Sequence, residues 1–363
     1  MNFDYNEEQQ LLADSVRRYL GKAYDFESRK KIVAGEGWSA EAWAQFAEMG
    51  LTGLAVPAEH GGFGGGAVDL MAVMEAFGEA LVVEPYVPTV LAARLVARAG
   101  SQPQKQALLP ALAEGRVKLA LAHAEIGARH RIESVHASFE NGRLKGEKPA
   151  VVGAPVADKV VVSAHGADGI GLYLADRPEA KSYRTLDGRL AADLVFNGMP
   201  AEKLHGGLEL VEEAFDFGAA LACAEAVGAM KFACDTTLEY LKTRKQFGVP
   251  IGTFQALQHR IVDLFIESEQ ARSMACLACS RVDQAQSAAE RGGGLARERA
   301  RAVSSAKIKI ADAARRISQE SVQLHGGMGM TEELKVSHTF RRLTVLAEEF
   351  GDADTHLARF ARL

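Results

Sequence analysis

Apolar residues recur at helical spacing from the N-terminus to about Val117. Leu12, Val16 and Leu20 lie four positions apart, which places them on one face of a helix. The glycine-rich stretch His60–Gly66 precedes another apolar run. We interpret it as a connector between helices, because no strand pattern precedes it and no Gly-Lys-Ser/Thr sequence follows, as a phosphate-binding loop would require. The first part of the chain is therefore predicted to be helical.

The period changes to two between about Leu119 and Leu204. Apolar and polar residues alternate on both sides of Asn141-Gly142, a dipeptide that favours a two-residue hairpin turn. The runs Lys159–Val162 and Ile170–Leu174 have the apolar composition of buried strands. This part of the chain is predicted to form a β domain.

The pattern is helical again from Gly206 to the end. Apolar runs at 208–245, 254–285 and 295–324 are separated by Gly248–Pro250 and Gly292–Gly294, which are typical of turns between antiparallel helices. The order helix, strand, helix, without alternation, argues against a Rossmann fold. We predict a mostly α chain with a β middle domain: helical residues 1–118, β residues 119–204 and helical residues 205–363.

Composition and charge narrow the functional class. The 363 residues are 48% hydrophobic and 25% charged, as in a soluble globular protein, and the net charge of −5 argues against binding to nucleic acid. We expect no membrane span, and the acidic N-terminus lacks the order of a secretory signal. The four cysteines lie in helical, alanine-rich sequence, so we expect a reduced, cytoplasmic protein; Cys276 and Cys279 are interpreted as core residues, and no metal site is predicted.

The segment Thr243–His259 carries the first candidate chemistry. A helix ends in a basic pair, the chain turns, and a new helix begins near Gln255, with His259 on the same face. The Arg244 guanidinium can donate two parallel hydrogen bonds to a pyrophosphate, and the Phe247 ring offers a flat surface for a purine. The alternative is a plain helix–turn–helix with a surface arginine and a core phenylalanine.

The second candidate segment is Gln323–Glu333. Three glycines after a long helix allow the backbone to approach a ligand closely, and Thr331 is expected to cap the next helix. The alternative is an ordinary glycine-rich helix end.

These two segments, in this order, resemble the acyl-CoA dehydrogenase family. The motifs that carry the resemblance are Arg244–Gly248 with Phe254-Gln255, and Gln323–Gly329. Phe3–Gln9 is similar to the opening helix of the family, and Gly53–Gly64 is similar to its Gly-Leu-x-x-Pro-x-x-x-Gly-Gly-x-Gly stretch. The resemblance extends over essentially the whole chain.

The resemblance implies an N-terminal α domain, a β-barrel-like middle domain and a C-terminal four-helix bundle, assembled as a tetramer that binds FAD across a subunit interface. It implies that an acyl-CoA is oxidised to a trans-2-enoyl-CoA and that an electron-transfer flavoprotein accepts the electrons. One set of residues would contact the FAD pyrophosphate and adenine: Arg244, Lys245, Gln246, Phe247, Phe254 and Gln255. A second set would line the same ADP moiety from the neighbouring subunit: Gln323, Leu324, His325, Gly326 and Gly327.

The segments that pack on the flavin ring depart from the family pattern. The usual Thr-Glu-Pro-x-x-Gly-Ser-Asp corresponds to Ala124–Arg131, in which Glu125 is retained and a glycine, Gly127, lies two positions before that of the family. Ala150–Val152 replaces the usual Trp-Ile-Thr, so an aromatic ring and a hydroxyl donor are missing.

The catalytic base is also missing from its expected positions. The reaction needs a carboxylate to remove a weakly acidic α-proton. The two positions that carry this carboxylate in the family are occupied here by Phe350 and Gly218. Glu349 is a candidate for a relocated base, although one helical position turns a side chain by ~100°. Asp216 corresponds to a residue near the CoA moiety, but Ala219 stands where an arginine is expected.

This combination resembles the smaller subunit of two-gene bacterial acyl-CoA dehydrogenases, such as the small subunit of pimeloyl-CoA dehydrogenase. Such subunits serve the degradation of dicarboxylic acids or steroids, and a larger acyl-CoA dehydrogenase subunit would supply the base. Two alternatives stay open. The chain is a self-sufficient homo-oligomer with a relocated base such as Glu349, or it is a flavin-poor structural subunit.

Overall fold

The structure is a computed structural model that describes residues 4–287 and 294–363. Phe3 and the expected turn at Gly292-Gly293 lie outside the described residues. Six helices precede the strands: α1 (Glu7–Ala23), α2 (Phe26–Ala34), α3 (Ala40–Glu48), α4 (Ala67–Ala80), α5 (Tyr86–Ala99) and α6 (Gln102–Ala113).

The strands follow, and then the C-terminal helices. The strands are β1 (Leu119–Ala122), β2 (Ser138–Glu140), β3 (Arg143–Val152), β4 (Lys159–Gly166), β5 (Gly169–Asp176), β6 (Ser182–Arg184) and β7 (Leu190–Gly207). The rest are α7 (Leu208–Thr243), the two-residue strands β8 (Lys245–Gln246) and β9 (Val249–Pro250), α8 (Gln255–Ser287), α9 (Gly294–His325), α10 (Lys335–Glu348) and α11 (Ala353–Arg362). The prediction of a mostly helical chain with a β-rich middle part is confirmed.

The chain forms two compact units, and the first comprises residues 30–66 and 83–218. Its strands close into a barrel. Strand β4 pairs with β2 and β5, β3 pairs with β2 and β7, and β5 pairs with β7, so each of these five strands has at least two neighbours. This closure leaves no free sheet edge among them. Strands β1 and β6 pair in addition with β4 and β7.

Strand β4 separates two apolar cores within this unit. Val160 and Val162 point into the barrel with Leu144 and Phe196, whereas Val161 faces the core formed with α5 and α6. Both faces of β4 are therefore buried, which explains its continuous apolar sequence.

The hairpin predicted at Asn141-Gly142 is confirmed. Glu140 pairs with Arg143 across a two-residue turn, and both turn residues have positive φ, 51° for Asn141 and 77° for Gly142. Asparagine and glycine tolerate this left-handed conformation better than other residues.

The second unit comprises the N-terminal residues up to Arg29, residues 67–82 and residues 219–363. Helices α4 and α7 cross at two glycines in this unit. A Cβ atom on Gly78 would clash with the Glu225 carbonyl oxygen, and one on Gly228 would clash with the Glu75 carbonyl oxygen. The two backbones approach so closely that only glycine fits at both positions.

Helix α7 is long and apolar enough to cross a membrane by length and composition alone. In its most apolar 18-residue window, 89% of the residues are buried. Burial of this extent is what the core helix of a helical bundle shows.

Candidate functional site

The segment after α7 exposes a basic, aromatic hairpin. Strands β8 and β9 pair around Phe247 and Gly248, which have positive φ of 54° and 82°. The Phe247 side chain is 90% exposed, and Arg244 and Lys245 are exposed beside it. The Ile251 amide donates to the Arg244 carbonyl oxygen at 2.8 Å, which closes the base of the hairpin.

The alternative of a core phenylalanine at this turn is wrong for Phe247. Its ring contacts the ring of Phe254 edge-on, with centroids 6.1 Å apart, and Phe254 itself is 39% exposed. Gln246 and Gln255 are exposed as well. An exposed aromatic pair beside two cations can receive both the base and the pyrophosphate of a nucleotide.

The second segment divides into exposed and buried members. Gln323, Gly326 and Gly327 are exposed, whereas Leu324 and His325 are buried. No atom lies within 4 Å of the positions that Cβ atoms on Gly326 and Gly327 would occupy. The two glycines therefore present bare backbone on an open surface.

His325 has a structural role that the sequence did not indicate. Its Nδ1 donates to the Ser321 carbonyl oxygen at 2.8 Å, and its ring lies against the ring of Tyr240 with centroids 4.4 Å apart. Burial lowers the pKa of His325, so the neutral ring is favoured. Only the backbone of His325 is then left to face a ligand.

Tyr240 brings the two candidate segments together within one chain. Its hydroxyl donates to the His325 carbonyl oxygen at 3.4 Å, and its carbonyl oxygen accepts the amide of Arg244 at 2.9 Å. The sequence reasoning missed Tyr240, although it lies one helical turn before Arg244. It also missed Met328 and Met330, which are 52% and 77% exposed after the two glycines.

Thr331 does not cap the next helix, so that prediction is wrong. Helix α10 begins at Lys335 after Leu334, with no side-chain cap, and the Thr331 hydroxyl donates to the Met328 carbonyl oxygen at 3.0 Å. The chain continues from α9 in a 3₁₀ turn over Gly326–Met330, so Thr331 closes that turn instead.

The loop between α10 and α11 carries Phe350 at the expected base position. Phe350 and Gly351 have positive φ, 58° and 112°. Lys307 is buried, and its Nζ donates to the carbonyl oxygens of Leu346 at 2.8 Å and Glu349 at 2.7 Å. Burial lowers the pKa of Lys307, partly opposed by Glu349 and other nearby acidic groups.

A second group fixes the same loop on α9. His356 Nε2 lies 3.0 Å from the Phe350 carbonyl oxygen, and His356 Nδ1 lies 3.2 Å from the Ser304 hydroxyl. A Cβ on Gly351 would come within 2.8 Å of the same ring. The backbone is therefore held at the successive residues Glu349 and Phe350, and no sequence motif pointed to either Lys307 or His356.

The other two candidate positions lie near the start of α7. Asp216 is 1% exposed, and Phe217 is fully buried with the Arg94 guanidinium 3.7 Å above its ring centre. Gly218 follows within the helix. No carboxylate stands at Gly218 itself.

The sequence matches domain models of one family at both ends. Residues 6–116 match the N-terminal domain of acyl-CoA dehydrogenase, and residues 205–363 match the C-terminal domain. Acyl-CoA dehydrogenase IpdE2 of Mycobacterium tuberculosis is 30% identical over 340 residues, which are 93% of this chain and 91% of that protein. The chain belongs to the acyl-CoA dehydrogenase family.

Solved structures of related proteins have the same fold. The ChsE4-ChsE5 complex from Mycobacterium tuberculosis aligns with a TM-score of 0.90 at 26% identity, covering 100% of this chain and 98% of that chain. A variant of the Tcur3481-Tcur3483 steroid ACAD aligns with a TM-score of 0.86 at 28% identity, covering 98% of this chain and 97% of that chain.

As an acyl-CoA dehydrogenase, the chain is an oxidoreductase that acts on the CH–CH group of acyl-CoA thioesters, and its cofactor is FAD. The exposed residues fit the ADP half of this cofactor. Arg244 and Lys245 match the charge of a pyrophosphate, Phe247 offers a face for adenine, and the bare backbone at Gly326-Gly327 allows close approach. When bound, FAD supplies the acceptor for the Cβ hydride.

Proposed function

We propose that this acyl-CoA dehydrogenase chain is the small subunit of a heteromer, in which a larger family member supplies the catalytic base. The observation that carries the proposal is that Phe350 and Gly218 occupy both positions where the family holds its carboxylate. Removal of the α-proton of a thioester needs a positioned base, so a chain without one needs a partner to provide it.

The loop at 349–351 argues against Glu349 as a relocated base. To reach the position of Phe350, the Glu349 side chain needs the loop to shift by one residue. Such a shift would break the bonds from Lys307 and His356 to the backbone. Leaving buried polar groups without partners costs ~1–3 kcal/mol for each group.

The retained segments suit a chain that contributes half of a shared cofactor site. Arg244, Lys245, Gln246, Phe247, Phe254 and Gln255 would hold the pyrophosphate and adenine. Gln323–Gly327 would line the same moiety in a neighbouring subunit, with the backbone of His325 and the side chain of Gln323 facing it. Asp216 is 1% exposed, so it would serve the CoA side of the site by supporting the start of α7 rather than by open contact with the ligand. These roles make the flavin-poor structural subunit the less favoured alternative.

An exposed apolar stripe on α8 supports assembly with another subunit. Val262, Phe265 and Ile266 are 53%, 60% and 46% exposed, and they lie three and four positions apart on one face of the helix. An amphipathic helix normally buries such a stripe. We propose that a second acyl-CoA dehydrogenase chain covers it in a tetramer.

The names of the relatives suggest the substrate class. The Tcur3481-Tcur3483 protein is described as a steroid ACAD. We propose the CoA thioester of a steroid degradation product as the substrate, with a dicarboxylic acyl-CoA as the alternative. We propose an electron-transfer flavoprotein as the acceptor and the cytoplasm as the location.

The test is a dye-reduction assay with a panel of acyl-CoA thioesters. Loss of a general base typically costs 10²–10⁴-fold in rate, so we expect the chain alone to show at most slow turnover, and the chain co-expressed with a larger subunit to be active. With the partner present, Glu349→Gln should leave the rate nearly unchanged, whereas Glu→Gln at the partner's base should abolish it.

The opposite pattern would reject the proposal. Robust turnover by the chain alone, abolished by Glu349→Gln, would establish a self-sufficient enzyme with a relocated base. The substituted side chain keeps its size and hydrogen-bonding capacity but cannot accept the proton. A chain that carries no flavin in either preparation would instead establish a structural subunit.

A further inference from the structure

A buried polar network lies beneath the loop that joins β1 to β2 in the barrel unit. Its members are His123, Glu125, Lys148 and Ser163, which are all at most 8% exposed. The loop above it, residues 126–135, includes most of the segment that corresponds to the family's flavin-contacting motif. The residues of this network were not predicted to act together.

Lys148 is the centre of the network. Its Nζ donates to Glu125 Oε1 at 2.6 Å, to the His123 carbonyl oxygen at 3.0 Å and to the Ser163 hydroxyl oxygen at 3.2 Å. An ammonium group has three N–H donors, so Lys148 is fully satisfied although its side chain is completely buried. Burial lowers the pKa of Lys148, and the hydrogen bond and charge of Glu125 oppose that shift.

Glu125 closes the loop by binding its far end. Oε2 accepts the His136 amide at 2.7 Å and Oε1 accepts the Ala137 amide at 3.0 Å. Burial favours protonation of Glu125, but Lys148 and these amides outweigh it and hold the pKa of the carboxyl below its usual value. One ionised carboxylate therefore joins residue 125 to residues 136 and 137.

His123 joins the network at the start of the loop. Its Nδ1 lies 2.9 Å from the Ser163 hydroxyl, which already accepts from Lys148 and so is free to donate its own proton. The other ring nitrogen then carries the hydrogen of the neutral ring. Burial is the main cause that lowers the pKa of His123 to about 4, so the ring stays neutral in this arrangement.

Part of the loop packs into the unit, since Ala128 is 3% exposed. Ile126 is 72% exposed, and Arg129 adopts a positive φ of 52°, which is unfavourable for a residue with a side chain. Short turns within the loop bond Ala128 to Glu125 and Arg131 to Ala128. The network joins the two ends of the loop that contains these turns.

We propose that the Glu125–Lys148–Ser163–His123 network positions loop 126–135 as the support for the flavin ring. The four are positioning residues, because they act through the loop backbone. The inference rests on the proposed function, in which this chain shares an FAD site, and on the resemblance of this loop to the family's flavin-contacting segment. It also explains why Glu125 is retained where the neighbouring threonine, proline and serine of the family motif are not.

The first test measures amide hydrogen exchange of loop 126–135 in the FAD-free full chain. Glu125→Gln removes the charge and leaves an amide that cannot accept both backbone N–H groups. We expect exchange of the loop and of residues 136 and 137 to rise about tenfold or more. Glu133→Gln is the matched control, because Glu133 is an exposed carboxylate on the same loop, and it should leave exchange unchanged.

Two milder variants keep the test valid if Glu125→Gln fails to fold. Ser163→Ala removes one hydroxyl and should raise loop exchange less than Glu125→Gln does. Lys148→Met tests the cation, with Lys145→Met as its control, since Lys145 is exposed on the same strand. Loop exchange at the wild-type rate in Ser163→Ala and Lys148→Met would overturn the inference.

The second test records the visible absorbance and circular dichroism of bound FAD in the co-expressed complex. We expect Glu125→Gln to shift the flavin bands and to weaken FAD retention about tenfold, with Glu133→Gln at wild-type values. A loosened loop with an unchanged flavin spectrum would overturn the role in supporting the ring. A wild-type complex that holds no flavin would reject the proposed function, while the exchange data would still decide whether the network fixes the loop.

Discussion

At the scale of single residues, exposure separates the groups that can meet a ligand from those that hold the chain together. Arg244 and Phe247 face outward from a closed hairpin, whereas His325 is buried against Tyr240. All three belong to motifs that resemble the family's ADP-binding segments. The side chain of His325 therefore supports the backbone at Gly326-Gly327, and in the proposed site the charge for a pyrophosphate would come from Arg244 and Lys245.

Arg244→Ala tests the pyrophosphate contact. Removal of the charge-assisted hydrogen bonds from the guanidinium to the phosphates should cost ~1.5–3 kcal/mol, which is about tenfold to a hundredfold in FAD affinity. The measurement is the FAD content of the purified assembly after extensive dialysis. Arg18→Ala, at an exposed arginine of α1, is the control and should retain full FAD. Equal flavin content in the two variants would show that Arg244 does not bind FAD.

His123 should make stability depend on pH. Its pKa is lowered to about 4 in the folded chain, mainly by burial and then by Lys148, with Glu125 opposing, whereas an unfolded histidine has a pKa of ~6.5. Between these values the unfolded chain binds a proton that the folded chain does not. Neutral His123 therefore makes its full contribution to the free energy of unfolding above pH ~6.5. This contribution, on the order of 3 kcal/mol, is lost as the pH falls towards 4.

The measurement for His123 is urea unfolding over a series of pH values. His123→Gln cannot titrate, so its stability should fall less steeply than that of the wild type in this window. The difference between the two curves isolates His123 from the other buried histidines, including His325, whose pKa is also lowered. Parallel curves would contradict the prediction.

At the scale of elements, helix ends create the candidate site and hold it in place. The end of α7 leads into the basic hairpin, the end of α9 leads into the bare glycines, and the end of α10 leads into the loop with Phe350. Lys307 binds the last carbonyl groups of α10, where the helix dipole favours a cation. The loop at 349–351, which lacks the catalytic carboxylate at Phe350, is therefore held firmly in place by these bonds.

Two glycines in the segment after α9 should respond differently to valine. Gly327→Val meets no atom of the chain within 4 Å, so it should fold with an unchanged melting temperature but lose FAD, because the side chain blocks the approach of a ligand. Gly329→Val would bring its Cβ 2.5 Å from the Val322 carbonyl oxygen and should lower the melting temperature. Full FAD content in Gly327→Val would contradict the assignment of this segment.

At the scale of the whole molecule, the chain has features of one part of a larger assembly. Its C-terminal helices expose the stripe Val262, Phe265 and Ile266, and its retained segments suit the ADP half of a cofactor. The base is missing from both expected positions. Assembly and activity are therefore expected to depend on each other.

Phe265→Asp tests the interface on α8. Phe265 is 60% exposed in the chain itself, so the substitution should change the stability of the isolated chain by less than ~0.5 kcal/mol. It should nevertheless lower the molar mass of the assembly measured by light scattering, because a charge is placed in an apolar contact. Leu11→Asp, at a 68% exposed leucine of α1, should leave the mass unchanged. An intact assembly with Phe265→Asp would show that this stripe is not an interface.

Periodicity and local chemistry determined most elements from the sequence. The hairpin at Asn141-Gly142 follows from two residues that tolerate positive φ, and the long helices follow from apolar spacing. The same local reasoning misassigned Thr331 as a helix cap, because whether α10 starts there depends on a 3₁₀ turn that packs after α9.

The sequence by itself determined the family, the order of the elements and the absence of a carboxylate at positions 350 and 218, because these depend on residue identity and spacing. Tertiary structure decided which side chains are exposed and can contact a ligand. It buried His325 and exposed Phe247, it set Lys307 and His356 against the 349–351 backbone, and it joined Glu125 to Lys148 beneath loop 126–135. These partners are between 6 and 42 residues apart in sequence, and no local pattern specifies contacts that form only when distant elements pack together.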